Sequence, residues 1–310
     1  CKGEQNMTLQ EAMDDFLFQK QLAGLSPKTV ISYKESISLL VRFMGNDIAL
    51  SEVTYTEVSK YIMHLYNRPV SRATVSTYVR NIRIFLRWVY IEYKLPFDPQ
   101  KIKVPKSPKK IVHIYNDTEI KEIFALIHTS EPWITARNRA VVALMLDSGL
   151  RQSEICRLLT NNLDRSRMVM KVTGKGAKDR IVPLGNFALA LLDDYFSQCP
   201  YKDKPYVFCT RRGQALTNNA VRLFVNRLQH KLPFDLSSHK LRHNFATNYC
   251  IDHVRQTGKT DVYDLSILMG HESIETTKKY EHFAHEIIAA ENNISHLDMC
   301  LGNGQKTGRG

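Results

Sequence analysis

A run of prolines and lysines limits what this chain can fold into more than any other feature. From Leu95 to Lys110 it reads LPFDPQKIKVPKSPKK, with four prolines and five lysines. Proline fixes φ and removes an amide donor, so neither a helix nor a central strand passes through such a segment. An extended linker is expected, its lysines solvated or lying along an anion. In a chain of 310 residues the break leaves room for two domains of ordinary size, residues 7–94 and 111–300. A glycine-rich tail, residues 301–310, is expected to be disordered.

Both flanks carry enough apolar residues to fold. The chain is 43% hydrophobic and 24% charged, a globular composition. Lys and Arg exceed Asp and Glu by 12, which favours a polyanionic partner, since each neutralised phosphate releases condensed counterions. Six widely spaced cysteines without a C-x-x-C pair suggest neither a zinc ribbon nor a disulfide framework. The longest apolar run, Ala140 to Leu146, is too short to span a bilayer, and no signal peptide opens the sequence. A cytoplasmic protein with no membrane partner is the expectation, its residues 1–6 an appended or trimmed start before Met7.

Upstream of the linker the periodicity is helical throughout. Leu9, Ala12, Met13 and Phe16 recur at helical spacing after Thr8. Ser26-Pro27 is an N-cap with proline at the first helical position, and Gly45 stops that helix. A third helix is expected over 56–66. A fourth begins near Ser71 and carries Val75, Tyr78, Ile82, Phe85 and Val89. Arg72, Arg80, Arg83 and Arg87 lie largely off its apolar stripe, where they suit a nucleic-acid backbone. Lys28, Lys103, Lys106, Lys178 and Arg180 are further candidates for backbone contact.

Downstream, helices are expected at 117–128, 134–150, 186–198, 216–230, 238–252, 262–269 and 273–279. Between them the period changes to two. Residues 168–172 and 181–184 read as strands flanking the glycine-bearing turn G-K-G-A-K-D-R. The expected fold class is mainly α with one small antiparallel β-sheet.

The chemistry-bearing residues lie in this second half. Arg151 follows Gly149-Leu150 between two helices, where its planar fork can meet two phosphate oxygens, and Glu154 one turn on can hold that fork. Lys175 sits between two glycines at a hairpin tip, able to protonate a departing oxygen, and spacing alone does not separate it from Lys178. His239 and Arg242 share one face of a helix in H-K-L-R-H, while His243 reads more readily as a packed histidine. The i, i+4 pair His239/His243 has zinc-ligand spacing, but Lys240 stands where a zinc protease has glutamate. His282 and His285 lack a third ligand. No metal and no cofactor are expected. His271 follows Gly270, and Tyr280 comes nine residues later beside Lys278 and Lys279.

Taken in order, G-L-R-Q-S-E, G-K-G-A-K-D-R, H-K-L-R-H, L-M-G-H and the tyrosine beyond resemble the tyrosine recombinase, or phage integrase, family. The likeness runs across residues 149–280, and the helical module with its linker is similar to that family's core-binding, DNA-clamping domain. The resemblance implies a four-helix core-binding domain and a mixed α/β catalytic domain. It casts Arg151 and Arg242 as clamps on the scissile phosphate, with His239 between them. Lys175 becomes the general acid, His271 the second histidine, Tyr280 the nucleophile and Glu154 the support of the first arginine. The one departure is Ser148, where threonine is frequent.

Chemically such a set can work without ATP or a metal ion. Two guanidinium forks neutralise the phosphodiester and the charge developing on it, and a covalent ester stores the broken bond. The phenol, with an ordinary pKa of about 10, needs help to lose its proton, and either His239 or His271 could give it. The resemblance further implies a 3′-phosphotyrosyl intermediate, a 5′-hydroxyl leaving group and a Holliday junction. The partners it implies are double-stranded DNA with a specific core site and a homotetramer on two duplexes, with an accessory DNA-bending protein as a further candidate. An apolar stripe at Phe283, Ile287, Ile288 and Ala290 is expected to be exchanged between subunits. Integration or excision of a mobile element is the leading role, ahead of Xer-like dimer resolution. A type IB topoisomerase is disfavoured by His239, where such enzymes tend to carry lysine. A non-catalytic DNA-binding protein is disfavoured by the complete set.

Overall fold

Polar N-caps set the start of the four described α-helices of the amino-terminal unit. The structure, a computed structural model, describes residues 7–106, 113–174, 176 and 178–292. The chain divides into two compact units, residues 1–110 and 111–310. In the first, the hydroxyls of Thr8, Ser26, Thr54 and Ser71 each accept from the amide three residues on. They open α1 (Leu9–Leu22), α2 (Pro27–Met44), α3 (Tyr55–Tyr66) and α4 (Arg72–Tyr93), each cap contributing about 1 kcal/mol. Pro27 occupies the first helical position of α2, where its missing N–H has no partner to lose.

The four helices close on aromatic rings. Phe16 meets Tyr33, Phe85 and Trp88 edge-on, each with centroids 5.4 Å apart, a geometry that aligns ring edges with π faces. Along α4, Val75, Val79, Ile82, Phe85, Leu86 and Val89 are buried, while Arg72, Arg80 and Arg87 remain exposed, as does Lys28 on α2. Arg83 is only partly exposed and donates to the Ile102 carbonyl at 3.4 Å.

The reading of 95–110 as linker needs correction over its first part. Leu95 and Ile102 are buried in the helical core, with Phe97 and Val104 packed against it. Asp98 caps a short 3-10 turn, Pro99–Lys101. The prolines do prevent a long helix, but the apolar residues between them are enough to lay the segment back onto α4. Lys103 and Lys106 are exposed.

In the second unit α5 (Asp117–Leu126) and α6 (Pro132–Asp147) precede the one-turn α7 (Gln152–Ile155). A three-stranded antiparallel sheet follows in the order β1 (Leu163–Asp164), β2 (Val169–Thr173), β3 (Asp179–Pro183). Met170 faces Val182 and Val172 faces Arg180 across β2 and β3. The two-residue β1 is absent from the sequence reading, being too short to show a period of two. Pro183 ends β3 on the sheet edge, where a missing amide costs no ladder bond. Its carbonyl accepts from the Ser148 hydroxyl at 2.9 Å, so the serine that departs from the frequent threonine keeps a hydroxyl's role.

Helices α8 (Asn186–Gln198), α9 (Asn218–Gln229), α10 (Ser238–Thr257), α11 (Val262–Met269) and α12 (Glu275–Asn292) complete the unit. Residues 140–145 of α6 are all buried, which suits a helix covered on every side. Beside this main core a second cluster joins α10, α11 and α12 through Phe245, Cys250, Leu265, Met269, Tyr280 and Ala284. Tyr280 therefore sits inside one long helix, not after a short one ending at 279. Phe283, Ile287 and Ile288 pack on this cluster of their own chain, so that stripe is covered in cis, and Ala290 is exposed. The tail, residues 301–310, lies outside the described residues. No described helix is long and apolar enough to cross a membrane.

One glycine decides how α6 hands over to the site. Gly149 has φ +60°, and a Cβ there would lie 2.3 Å from Cδ1 of Phe245. Gly149→Ala is therefore expected to destabilise the second unit by about 1–3 kcal/mol through overpacking, more with the backbone strain, as a lowered urea midpoint with unchanged slope.

Candidate active site

At the end of α6 the chain turns through Gly149 and presents Arg151 just before α7. The Arg151 backbone N–H donates to Oε2 of Glu154 at 2.8 Å and its Nη1 to Oε1 at 2.9 Å. Its Nη2 donates to the Gly270 carbonyl, also at 2.8 Å. One residue thus receives both the backbone and the side chain of the arginine, and the fork is held while 33% of it stays exposed.

Glu154 serves more than Arg151. Arg180 on β3 grips the same carboxylate with both Nη atoms, each at 2.9 Å, and its Nε donates to the Leu268 carbonyl at 2.7 Å. This corrects the reading of Arg180 as a DNA-backbone contact: its three nitrogens are all engaged within the chain and its side chain is buried. The alternation along β3 decides this, since Arg180 pairs with buried Val172 and points inward at that position. Burial alone would raise the Glu154 carboxyl. The Arg180 hydrogen bonds and charge, with those of Arg151, win and hold it below the ordinary carboxylate range.

Arg242 reaches the same place from the first turns of α10. Its Nη1 donates to the Gly149 carbonyl and its Nη2 to the Met269 carbonyl at 2.5 Å, and Nη1 lies 3.8 Å from Glu154. Burial, then the neighbouring Arg151, lower its pKa to about 10, which leaves it charged at neutral pH. Gly270, at φ +59°, makes the approach possible: a Cβ there would lie 3.0 Å from Arg180 and 3.4 Å from Arg151.

His271 follows at once. A guanidinium only donates, so Nε2 of His271, 3.4 Å from Arg242 Nη2, is the acceptor, and Nδ1–H donates to Thr277 at 2.7 Å. Burial, then Arg242 and Arg151, depress its pKa to about 4, so the ring is neutral. His239 opens α10 behind the Ser237 cap, and its pKa is lowered by desolvation and by Lys279, Arg242 and Arg151.

Tyr280 completes the group. It is 1% exposed and stacks on His271 with centroids 6.4 Å apart and planes 14° apart. Burial pushes its phenol up to about 12 although Arg242 and Arg151 pull the other way. Its hydroxyl meets Nδ1 of His243 at 2.5 Å, and Nε2 of His243 meets Nε2 of His239 at 2.7 Å. The two histidines of the i, i+4 pair are thus bonded to each other.

Arg151, His239, Arg242, His271 and Tyr280 line one cavity of about 510 Å³, with Arg222 and Asn226 of α9 and Lys279 on its walls. So five of the six residues singled out in sequence come together within a single subunit. The sixth, Lys175, lies outside the described residues. Its hairpin is closed by Gly174 N–H donating to the Lys178 carbonyl at 2.8 Å, and Lys178 is exposed. The sequence reading missed His243, Arg180 as an internal support, Thr277, Lys279 and the α9 pair Arg222/Asn226. A signal existed for two of them, since His243 stands one turn from His239 and Thr277 three residues before Tyr280. Removing one partner of a buried charge network strands the others. Glu154→Ala is expected to cost about 3–5 kcal/mol of stability, measured by chemical denaturation.

Comparison with known proteins shows the family of the chain. The sequence profile of the phage integrase family matches residues 116–286, and that of the phage integrase N-terminal SAM-like domain matches residues 12–94. Tyrosine recombinase XerC of Bacillus pumilus is 32% identical over 271 residues, covering 83% of this chain and 86% of its own. Two solved structures share the fold. The Tn1549 transposon integrase in complex with a circular intermediate DNA matches with TM-score 0.73 at 15% identity, over 92% of this chain and 99% of that one. A lambda integrase dimer bound to a COC′ core site matches with TM-score 0.73 at 17% identity, over 90% and 78%. The chain belongs to the phage integrase family and is a tyrosine recombinase, an enzyme that cleaves and rejoins DNA strands.

Proposed function

We propose that the chain is a site-specific, Xer-like recombinase whose Tyr280 attacks a scissile phosphate held by Arg151 and Arg242. The observation that carries this reading is the shared cavity: the phenol and both guanidinium forks line it in one subunit. Each fork is oriented from behind by a carbonyl or by Glu154. Every Nη has a second hydrogen, so an oxygen of the phosphodiester can be met without undoing the support. Fixed donors of this kind stabilise the charge that gathers on the phosphorane.

Attack by Tyr280 Oη would form a 3′-phosphotyrosyl ester and release a 5′-hydroxyl. Lys175, which falls between β2 and β3 in the sequence, is the residue proposed to protonate that leaving oxygen. The freed hydroxyl of a second duplex can then attack the ester, giving a Holliday junction. Two duplexes require several protomers, and a homotetramer is proposed. Phe283, Ile287 and Ile288 pack on their own chain, so the proposed tetramer does not rest on exchange of that stripe between subunits. An accessory DNA-bending protein is a further proposed partner.

Lys28, Arg72, Arg80, Arg87, Lys103, Lys106 and Lys178 are exposed, which supports their proposed role as phosphate contacts. Arg222 and Asn226, exposed on α9 beside the cavity, have the forked donors and acceptors that read base edges in a major groove. The curated relatives carry Xer names over most of their length, whereas the mobile-element integrases match in fold. That difference favours the Xer-like role over integration or excision of a mobile element.

Two outcomes test the chemistry. Incubated with a randomised duplex library nicked to trap cleavage, the protein should form a covalent adduct that Tyr280→Phe abolishes and EDTA leaves intact. A strict need for magnesium in that step would contradict the site. On the selected sequence Lys175→Ala should lose about 10²–10⁴-fold in cleavage rate and recover with a 5′-bridging phosphorothiolate, while Lys178→Ala should need no such rescue.

A further inference from the structure

His243 is buried, 7% exposed, and both of its ring nitrogens are bonded to other members of the site. Nδ1 lies 2.5 Å from the Tyr280 hydroxyl and Nε2 lies 2.7 Å from Nε2 of His239. The rings are correspondingly close, with centroids 5.3 Å and 4.0 Å apart. Such a chain admits one arrangement that leaves no buried donor unpaired. The phenol O–H donates to Nδ1, so a neutral imidazole carries its hydrogen on Nε2, and that hydrogen is donated to the bare Nε2 of His239. The reverse direction would leave the phenol hydrogen with no acceptor in a site where unmet donors are costly.

We infer that His243 takes the proton of Tyr280 as the phenol oxygen attacks phosphorus, and passes its own Nε2 proton to His239. This rests on the reading of Tyr280 as nucleophile. In the step, an Oη lone pair forms the bond to phosphorus and the bond from phosphorus to the 5′ oxygen breaks. The phenol hydrogen moves to His243 Nδ1, and the Nε2 hydrogen of His243 moves to Nε2 of His239. His243 ends neutral with its hydrogen exchanged between nitrogens, and His239 ends as an imidazolium. The leaving oxygen takes its proton from the separate general acid, and the sequence runs backwards on rejoining.

The surroundings explain why a relay suits this place better than a simple base. His243 is packed near His239, Lys279, Arg242 and His271, and burial with these neighbours drives its pKa down to about 3. A charge resting there would be expensive. In the relay the charge never stays on His243 and appears on His239, which is exposed and lines the cavity where a phosphodiester would lie. His271 is less suited, because its Nδ1 is bonded to Thr277 and its Nε2 faces Arg242.

The test is single-turnover cleavage of the selected nicked duplex by the full chain, with tyrosine or a fluorinated tyrosine of lower phenol pKa at position 280. With tyrosine, His243→Phe should cleave about 10²-fold or more slowly, and a 5′-bridging phosphorothiolate should not restore it. With fluorotyrosine most of that deficit should disappear, because an acidic phenol needs less help, while a packing defect would persist unchanged. His243→Asn, whose amide can accept from the phenol but cannot pass a proton on, guards against misfolding and should show the same pattern. A wild-type rate in either variant, or a deficit indifferent to the fluorinated residue, overturns the relay. Absence of any adduct from the unsubstituted chain would overturn the nucleophile reading and the relay with it, whereas an adduct that forms equally fast in His243→Phe overturns the relay alone.

Discussion

One buried carboxylate organises the catalytic unit. Glu154, 3% exposed, accepts from both Nη atoms of Arg180, from the backbone and side chain of Arg151, and lies 3.8 Å from Arg242. These three arginines arrive from β3, from the turn before α7 and from α10, so the carboxylate joins parts of the chain that no single element could bring together. Taking charges out of water costs several kcal/mol per ion, on the order of what a small domain has to spare. Close geometry and complete hydrogen bonding offset that cost here. Three guanidiniums against one carboxylate leave the cluster positive, and a site in which all of them were neutralised would have no hold on a phosphodiester.

Burial first, and that residual positive charge after it, set the state of the histidines and the phenol in the cavity. The charge helps to keep His239, His243 and His271 neutral by lowering their pKa values, with desolvation the larger cause in each. It also pulls on the Tyr280 phenol, yet burial prevails and the hydroxyl stays protonated. At rest the protonated Tyr280 phenol therefore stands beside neutral imidazoles. Glu154 fixes the geometry of the arginines, while burial, with the arginines adding to it at the histidines, sets the protonation states.

How much of this was legible beforehand differs by residue. Arg151, His239, Arg242, His271 and Tyr280 stand in short motifs whose order resembles a family pattern, and the cavity holds all five. The cap at Ser26 and the helix starts at Thr8 and Ser71 were equally plain, because helix initiation depends on residues three apart. Arg180 was misread because a hairpin arginine beside Lys178 looks like surface charge, and only the pairing of β2 with β3 turns it inward. His243 was set aside as packing, though its ring is hydrogen-bonded to the Tyr280 hydroxyl. The stripe at Phe283, Ile287 and Ile288 showed the need for a cover without naming it, and α10 and α11 of the same chain provide one.

The sequence by itself determined the helical periodicity, the small sheet, the break in helix at the prolines and the motifs whose order resembles the family pattern. These follow from dihedral preferences and from neighbours within a turn or two. Only the tertiary structure decided which of those side chains touch: Arg151 finds Gly270 across 119 residues, Arg242 finds Gly149 across 93, and Tyr280 finds His243 across 37. Contacts at such separations depend on how whole helices pack, and packing is set by buried surface summed over the unit, which no local pattern encodes.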